Sequence, residues 1–251
     1  MELEEYSRMQ KKIFKLIGMM VLFGNIGFSE YKAALEASRI PVRDIYYRPR
    51  EDEHGKPYFE VPYLALETFA AELKGQDGRI IVFLGNPNNP DGTLLDKNHI
   101  RTIASMLKDA NSLLVIDESF IDFVGNDTLQ DNEYSMRSLV NEFDNIIVVH
   151  SFTKFYAVPG LRIGAAFSNP LIIEQLNSFI PTWSVNTLAQ SYTEAALNDV
   201  EYVKRTKQVL HEEQLFMYNS LDTIDGITIY PPSANFMLFH IEQEGITAES
   251  I

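Results

Sequence analysis

Two apolar runs joined by one helix constrain this chain more than any other feature. Ile80 to Leu84 is a continuous apolar run that ends in Gly85-Asn86-Pro87-Asn88-Asn89-Pro90-Asp91-Gly92, so a buried strand breaks there into a rigid, turn-dense loop. Asp96 can then cap a helix whose apolar face is Ile100, Ile103, Ala104 and Leu107, and Leu113 to Ile116 reads as a second strand closed by Asp117. Strand, loop, helix, strand at this spacing is a βαβ unit, which predicts an α/β fold with a mostly parallel sheet and helices on both faces. Ile146 to Val149 supplies a further strand. Ligands of open α/β sheets collect outside the carboxyl ends of the strands, where Asn89, Asp117 and Ser151 to Lys154 fall. Three separate loops therefore point at one crevice.

The rest of the chain extends this pattern. Residues 1 to 16 could form a helix, Met19 to Phe23 reads as a short buried strand, and Gly24 to Gly27 breaks it. Ser29 reads as an N-cap, with Ala33, Ala34, Leu35 and Ala37 in a helix that packs closely on the sheet. Val42 to Tyr47 predicts another strand, Arg48 to Pro57 is polar and turn-rich, and Tyr63 to Leu73 has helical periodicity. Ile163 to Phe167 predicts an edge strand, and a largely helical region reaches about Leu221 after Pro181-Thr182-Trp183-Ser184-Val185-Asn186. Ile227 to Tyr230 and Phe236 to Ile241 predict strands of a second, smaller α+β layer that the chain does not complete.

Composition removes several classes of function. A formal charge of -14 argues against a nucleic-acid surface, which needs clustered Lys and Arg. No cysteine means no disulfide framework, no thiolate zinc site and no cysteine nucleophile. The most membrane-like stretch, Ile17 to Phe23, has seven residues against the roughly 20 needed to span a bilayer. Glu2, Glu4 and Glu5 spoil a signal peptide, so the expectation is a soluble cytoplasmic protein without membrane or nucleic-acid partners.

The chemistry concentrates in Ser151-Phe152-Thr153-Lys154, with Pro159-Gly160-Leu161-Arg162 shortly after it. An amine suits Schiff-base formation, small hydroxyls suit a phosphate, and a guanidinium completes the charge neutralisation, so the ligand these types suggest is pyridoxal phosphate. Taken alone, a lysine after a strand is more often a solvated side chain. The loops that precede it change the balance.

Asn-Pro-Asn-Asn-Pro-x-Gly, Asp-Glu-Ser-Phe-Ile-Asp-Phe, Ser-Phe-Thr-Lys and Gly-Leu-Arg-x-Gly, in this order, resemble the fold-type-I pyridoxal-phosphate aminotransferases over about residues 22 to 241. Within that superfamily the chain looks most like threonine-phosphate decarboxylase and its close relative histidinol-phosphate aminotransferase. The resemblance implies that Lys154 carries the cofactor and serves as acid and base at the substrate α-carbon. By the same resemblance Asp117 faces the pyridine nitrogen, Asn89 donates to the ring's phenolic oxygen, and Ser151, Thr153 and Arg162 contact the phosphate. Phe28 aligns with the aromatic that stacks on the ring, and a plain core phenylalanine is nearly as good a reading. Asp117 could otherwise be closing a strand and Asn89 forming a turn.

The resemblance further implies a cofactor-binding major domain over residues 22–185, with connecting helices and the start of a minor domain over 186–251. It implies a homodimer acting on a small phosphorylated amino acid. Aminotransferases of this group usually place a tyrosine three residues after the ring-nitrogen aspartate, where this chain has Phe120, and the Pro181 to Asn186 stretch resembles the decarboxylase's Pro-Trp-Ser-Val-Asn segment with one inserted residue. Both favour decarboxylation of threonine O-phosphate, a step toward the cobalamin side chain, over histidinol-phosphate transamination. A non-catalytic cofactor-binding domain is the reading from a different class. The family's glycine-rich phosphate-binding turn is not recognisable in residues 1 to 21, and its carboxylate-binding arginine would lie past Ile251, so the sequence reads as one lacking both ends of the pattern.

Overall fold

The structure, a computed structural model, describes residues 19–24, 27, 29–73, 79–125, 132–243, 245–247 and 250. The expected helix in residues 1 to 16 and the aromatic Phe28 lie outside the described residues. A six-stranded sheet is built from β1 (Met19–Gly24), β2 (Val42–Ile45), β5 (Arg79–Gly85), β6 (Leu113–Asp117), β7 (Ile146–Ser151) and β8 (Gly164–Ser168), in the order β2-β1-β5-β6-β7-β8. The first five strands are parallel and β8 pairs antiparallel with β7 at the edge. The strand order reverses between β1 and β5. In a doubly wound sheet such a reversal opens a crevice at the carboxyl ends of the two strands.

Alternation along β5 decides which helices cover which face. Ile80, Val82 and Leu84 are buried among Leu66 and Ala70 of α2 (Tyr63–Leu73) and Ile100, Ile103, Ala104 and Leu107 of α3 (Lys97–Asp109). Ile81 and Phe83 point the other way and pack with Tyr31 and Leu35 of α1 (Ser29–Ala37). Each fully buried Ile or Leu contributes about 1.5–3 kcal/mol relative to exposure, so the apolar stripe of α3 is what fixes that helix on the sheet. Asp96 caps it, accepting from the Asn98 and His99 backbone N–H groups.

Three segments depart from expectation. Arg48 to Pro57 is not merely turn: β3 (Arg48–Glu51) and β4 (Pro57–Glu60) form an antiparallel hairpin. Its turn is closed by Asp52, whose carboxylate accepts from the backbone N–H groups of His54 and Lys56, and Arg50 pairs with Glu60 at 2.9 Å. β3 is exposed throughout, so no apolar alternation marks it in the sequence. A helix, α5 (Pro170–Phe179), follows β8 and starts on an Asn169 cap with proline at its first position. The strand expected over Phe236 to Ile241 shortens to β10 (Phe239–Ile241), which pairs with β9 (Ile227–Ile229). Between α5 and β9 lie α6 (Thr187–Leu197) and α7 (Val200–Asp222), separated at Asn198 and Asp199. No helix among the described residues is long and apolar enough to cross a membrane.

Candidate active site

The loop after β5 is held from inside. Asn86 is fully buried; its amide donates to the Tyr134 carbonyl at 2.8 Å and to Glu118 Oε1 at 3.2 Å, and its oxygen accepts from Leu95 N–H at 3.1 Å. Asn88 donates to Asp91 Oδ1 at 2.6 Å, and Thr93 donates to the other carboxylate oxygen. A Cβ at Gly85 would stand 2.9 Å from Asn88 Oδ1 and 3.0 Å from Asn88 Cα, so the loop can fold back this tightly only over glycine. These bonds leave Asn89 half-buried at the cavity wall.

Strand alternation sends the adjacent carboxylates Asp117 and Glu118 to different tasks. Asp117, the last residue of β6, accepts from Ser119 N–H at 2.8 Å and Ser119 Oγ at 2.6 Å on Oδ1, and from the Tyr31 phenol on Oδ2. Burial, and then the Asp117 charge, push the Tyr31 phenol above its ordinary range. Glu118 turns into the protein and accepts from Met136 N–H, Ser135 Oγ and Asn86 Nδ2. Burial outweighs these donors and raises its carboxyl above the usual glutamate range.

β7 leads straight into a single helical turn, α4 (Phe152–Phe155), which Ser151 caps. Ser151 Oγ and Thr153 Oγ1 lie 2.8 Å apart, and Lys154 Nζ reaches Thr153 Oγ1 at 3.4 Å. Lys154 is exposed, with its ammonium 5.8 Å from the centre of the Phe120 ring. Beneath this turn His150 Nε2 meets Asp122 Oδ2 at 2.8 Å in a buried pair. A Cβ at Gly164, opposite Ser151 in β8, would stand 2.5 Å from the His150 carbonyl oxygen. Arg162 is exposed, has φ of 51°, and donates from Nη1 to Pro159 O at 3.0 Å.

A cavity of about 290 Å³ opens at the β1/β5 reversal and is lined by Asn89, Asp117 and Lys154 together with Tyr31, Ser119 and Phe120. The structure thus brings together three of the residues singled out in the sequence. Ser151 and Thr153 stand beside Lys154 without lining the cavity, and Arg162 is turned onto its own loop. A larger cavity of about 1140 Å³ lies between α2, the β3–β4 hairpin and Tyr230; it holds none of these residues, so size alone does not locate the chemistry. Sequence reasoning missed Tyr31 and Ser119. Ser119 had a signal in its place two residues after Asp117, whereas Tyr31 is 86 residues from its partner.

The amine, carboxylate and amide suit a flat aromatic aldehyde with a basic ring nitrogen. Residues 12–248 match the sequence profile of the aminotransferase class I and II family. The chain belongs to that family. Among its relatives, the threonine-phosphate decarboxylase of Salmonella typhimurium is 33% identical over 226 residues, which cover 88% of this chain and 56% of that protein. The histidinol-phosphate aminotransferase of Methanosphaera stadtmanae is 32% identical over 171 residues, 68% of this chain and 44% of that protein. The adenosylcobalamin biosynthesis bifunctional protein CobDQ of Leptospira interrogans is 32% identical over 215 residues, 85% of this chain and 23% of that protein. The chain therefore spans about half the length of the first two family members and less of the third. Its fold matches the crystal structure of histidinol-phosphate aminotransferase from Clostridium acetobutylicum with a TM-score of 0.73 at 21% identity, covering 97% of this chain and 67% of that one.

Proposed function

We propose that this chain carries the cofactor-holding part of a pyridoxal 5'-phosphate-dependent enzyme that decarboxylates L-threonine O-3-phosphate to 1-amino-2-propanol phosphate. The observation that carries the reading is the meeting of Asn89, Asp117 and Lys154 on one cavity at the carboxyl ends of the parallel strands. The donor set fits the cofactor: an amine for the aldehyde, an anion for the ring nitrogen and an amide for the ring hydroxyl. When bound, pyridoxal phosphate supplies an electron sink for charge at the substrate's α-carbon.

The chain's own groups do the rest. Asp117, fixed by Ser119 and Tyr31, holds a proton at the ring nitrogen. Lys154 offers a base that can hold a proton at the α-carbon and return it. In the proposed reaction the bond to the carboxylate breaks, carbon dioxide leaves without the bonding pair, and the α-carbon takes up one proton. Ser151, Thr153 and Arg162 are proposed for the cofactor phosphate, with the Arg162 guanidinium leaving Pro159 to reach it. Phe120 favours the decarboxylase: the wall beside Lys154 is a bare phenyl ring, set edge-on to Phe236 at 5.0 Å, with no hydroxyl for the ring oxygen.

Transamination of histidinol phosphate is the second reading, favoured by the 32% identity to the Methanosphaera stadtmanae protein. The proposal extends to a cytoplasmic homodimer with no nucleic-acid or membrane partner, its cofactor domain over residues 22–185 and its connecting helices and minor domain beginning in 186–251. The test is carbon dioxide release from threonine O-phosphate by the full chain supplied with cofactor, which should vanish in Lys154→Ala. Amino transfer from histidinol phosphate to 2-oxoglutarate without such release would replace the first reading by the second.

A further inference from the structure

Asp117 is the group whose orientation matters most at the ring-nitrogen end, and an aspartate has two free torsions to lose. The Ser119 N–H and hydroxyl both bond Oδ1, which fixes one oxygen but leaves the other able to swing. The second oxygen is fixed from another element. Tyr31 stands on α1, packs its ring against Phe83 with centroids 5.4 Å apart, and points its hydroxyl across the end of the sheet to Asp117 Oδ2. It lines the same cavity as Lys154 and Asn89.

We propose that Tyr31 is a positioning residue: its hydroxyl aims the Asp117 carboxylate at the ring nitrogen of the bound cofactor. This inference rests on the pyridoxal-phosphate reading and adds to it a residue on α1, three positions after Phe28, to which the sequence motifs gave no role. The arrangement is chemically sufficient, because a carboxylate oxygen has two lone pairs and can accept from a phenol and a ring N–H at once. Burial keeps the phenol protonated, so it remains a donor wherever Asp117 is ionised. A hydroxyl that only braced α1 against the sheet would serve the fold equally with any ligand in the cavity. One that aims a carboxylate matters only when there is a nitrogen to aim at.

That difference gives the experiment. The full chain and its Tyr31→Phe variant, which keeps the ring on Phe83, are titrated with pyridoxal phosphate and with 1-deazapyridoxal phosphate, whose ring has a C–H in place of the nitrogen. Affinity is read from absorbance and retained fold from circular dichroism. Tyr31→Phe should weaken pyridoxal phosphate about tenfold and leave the deaza analogue within about twofold of the unaltered protein. In an Asp117→Asn background, Tyr31→Phe should have no further effect on either ligand. Equal losses for both ligands, no loss for pyridoxal phosphate, or a Tyr31→Phe chain that does not fold would each overturn the proposal, the last by making the hydroxyl a requirement of the fold. Should the unaltered chain bind both ligands equally, or neither, the placement of Asp117 at the ring nitrogen fails, and this inference fails with it.

Discussion

The two ends of the cavity are built differently. At the Asp117 end the polar groups are set by the scaffold: Asp117 takes three donors from two elements, and Asn86 and Glu118 lock the neighbouring loop from behind. At the Lys154 end the groups are set by short-range partners. Ser151 bonds Thr153, Lys154 is exposed, and Arg162 bonds the carbonyl three residues before it. A network backed by the buried Asn86 and Glu118 holds its geometry with or without a ligand, whereas bonds between near neighbours in sequence are readily exchanged for ligand bonds. Mutations in the buried backing of the first end, at Asn86 and Glu118, should therefore be felt in stability, and mutations at the second end in cofactor binding, as at Tyr31, where the first end meets the ligand.

Lys154→Ala should have the largest effect on binding: complete loss of the cofactor's absorbance band and of any mass fixed by borohydride, with the urea midpoint unmoved. A band that persists would remove the lysine from its role. Glu118→Ala should do the reverse, destabilising by about 3 kcal/mol because the Met136, Ser135 and Asn86 donors are left buried and unpaired. Urea denaturation measures it, and a loss below about 1 kcal/mol would show that water replaces the carboxylate. Glu118 also sets a pH dependence. Burial raises its folded-state carboxyl above the ordinary value near 4.5, so the folded chain binds the proton more tightly than the unfolded one. Its contribution is full below that ordinary value and is lost as pH climbs through the raised one. Glu118→Gln should flatten this slope.

Arg162→Ala sharpens the comparison from the other side. It should weaken cofactor affinity about tenfold, through loss of one charge-assisted contact, without moving the urea midpoint. An unchanged affinity would leave the guanidinium on Pro159 with the ligand bound. Asp96→Ala is the smallest case, at about 1 kcal/mol of stability through loss of the α3 cap, with cofactor affinity unchanged in equilibrium titration.

What could be read from the sequence follows the same division. β5, α3 and β6 were legible because Ile80 to Leu84, Asp96 and the Ile100 to Leu107 face each carry a local signal, and Asn89, Asp117 and Lys154 were legible because they sit at the ends of such elements. α2 also falls where its periodicity placed it, from Tyr63 to Leu73. The β3–β4 hairpin was hidden because β3 is exposed throughout and β4 turns only Pro57 and Phe59 inward, too short an alternation to detect. Tyr31 was hidden by distance: nothing within a window of sequence says that a tyrosine on α1 will meet the end of β6. The αL backbone of Arg162 and the bond of its guanidinium to its own loop are likewise products of a turn that residue types alone do not specify.

Gly164 carries a consequence for anyone who would alter this protein. Even a methyl there would collide with the backbone oxygen of His150 and force the edge strand away from the end of β7, beside Ser151 and the turn that carries the lysine. In a saturation library that scores cofactor capture, position 164 should shrink to a one-letter alphabet, while Gly160 a few residues earlier, with open space around it, tolerates many.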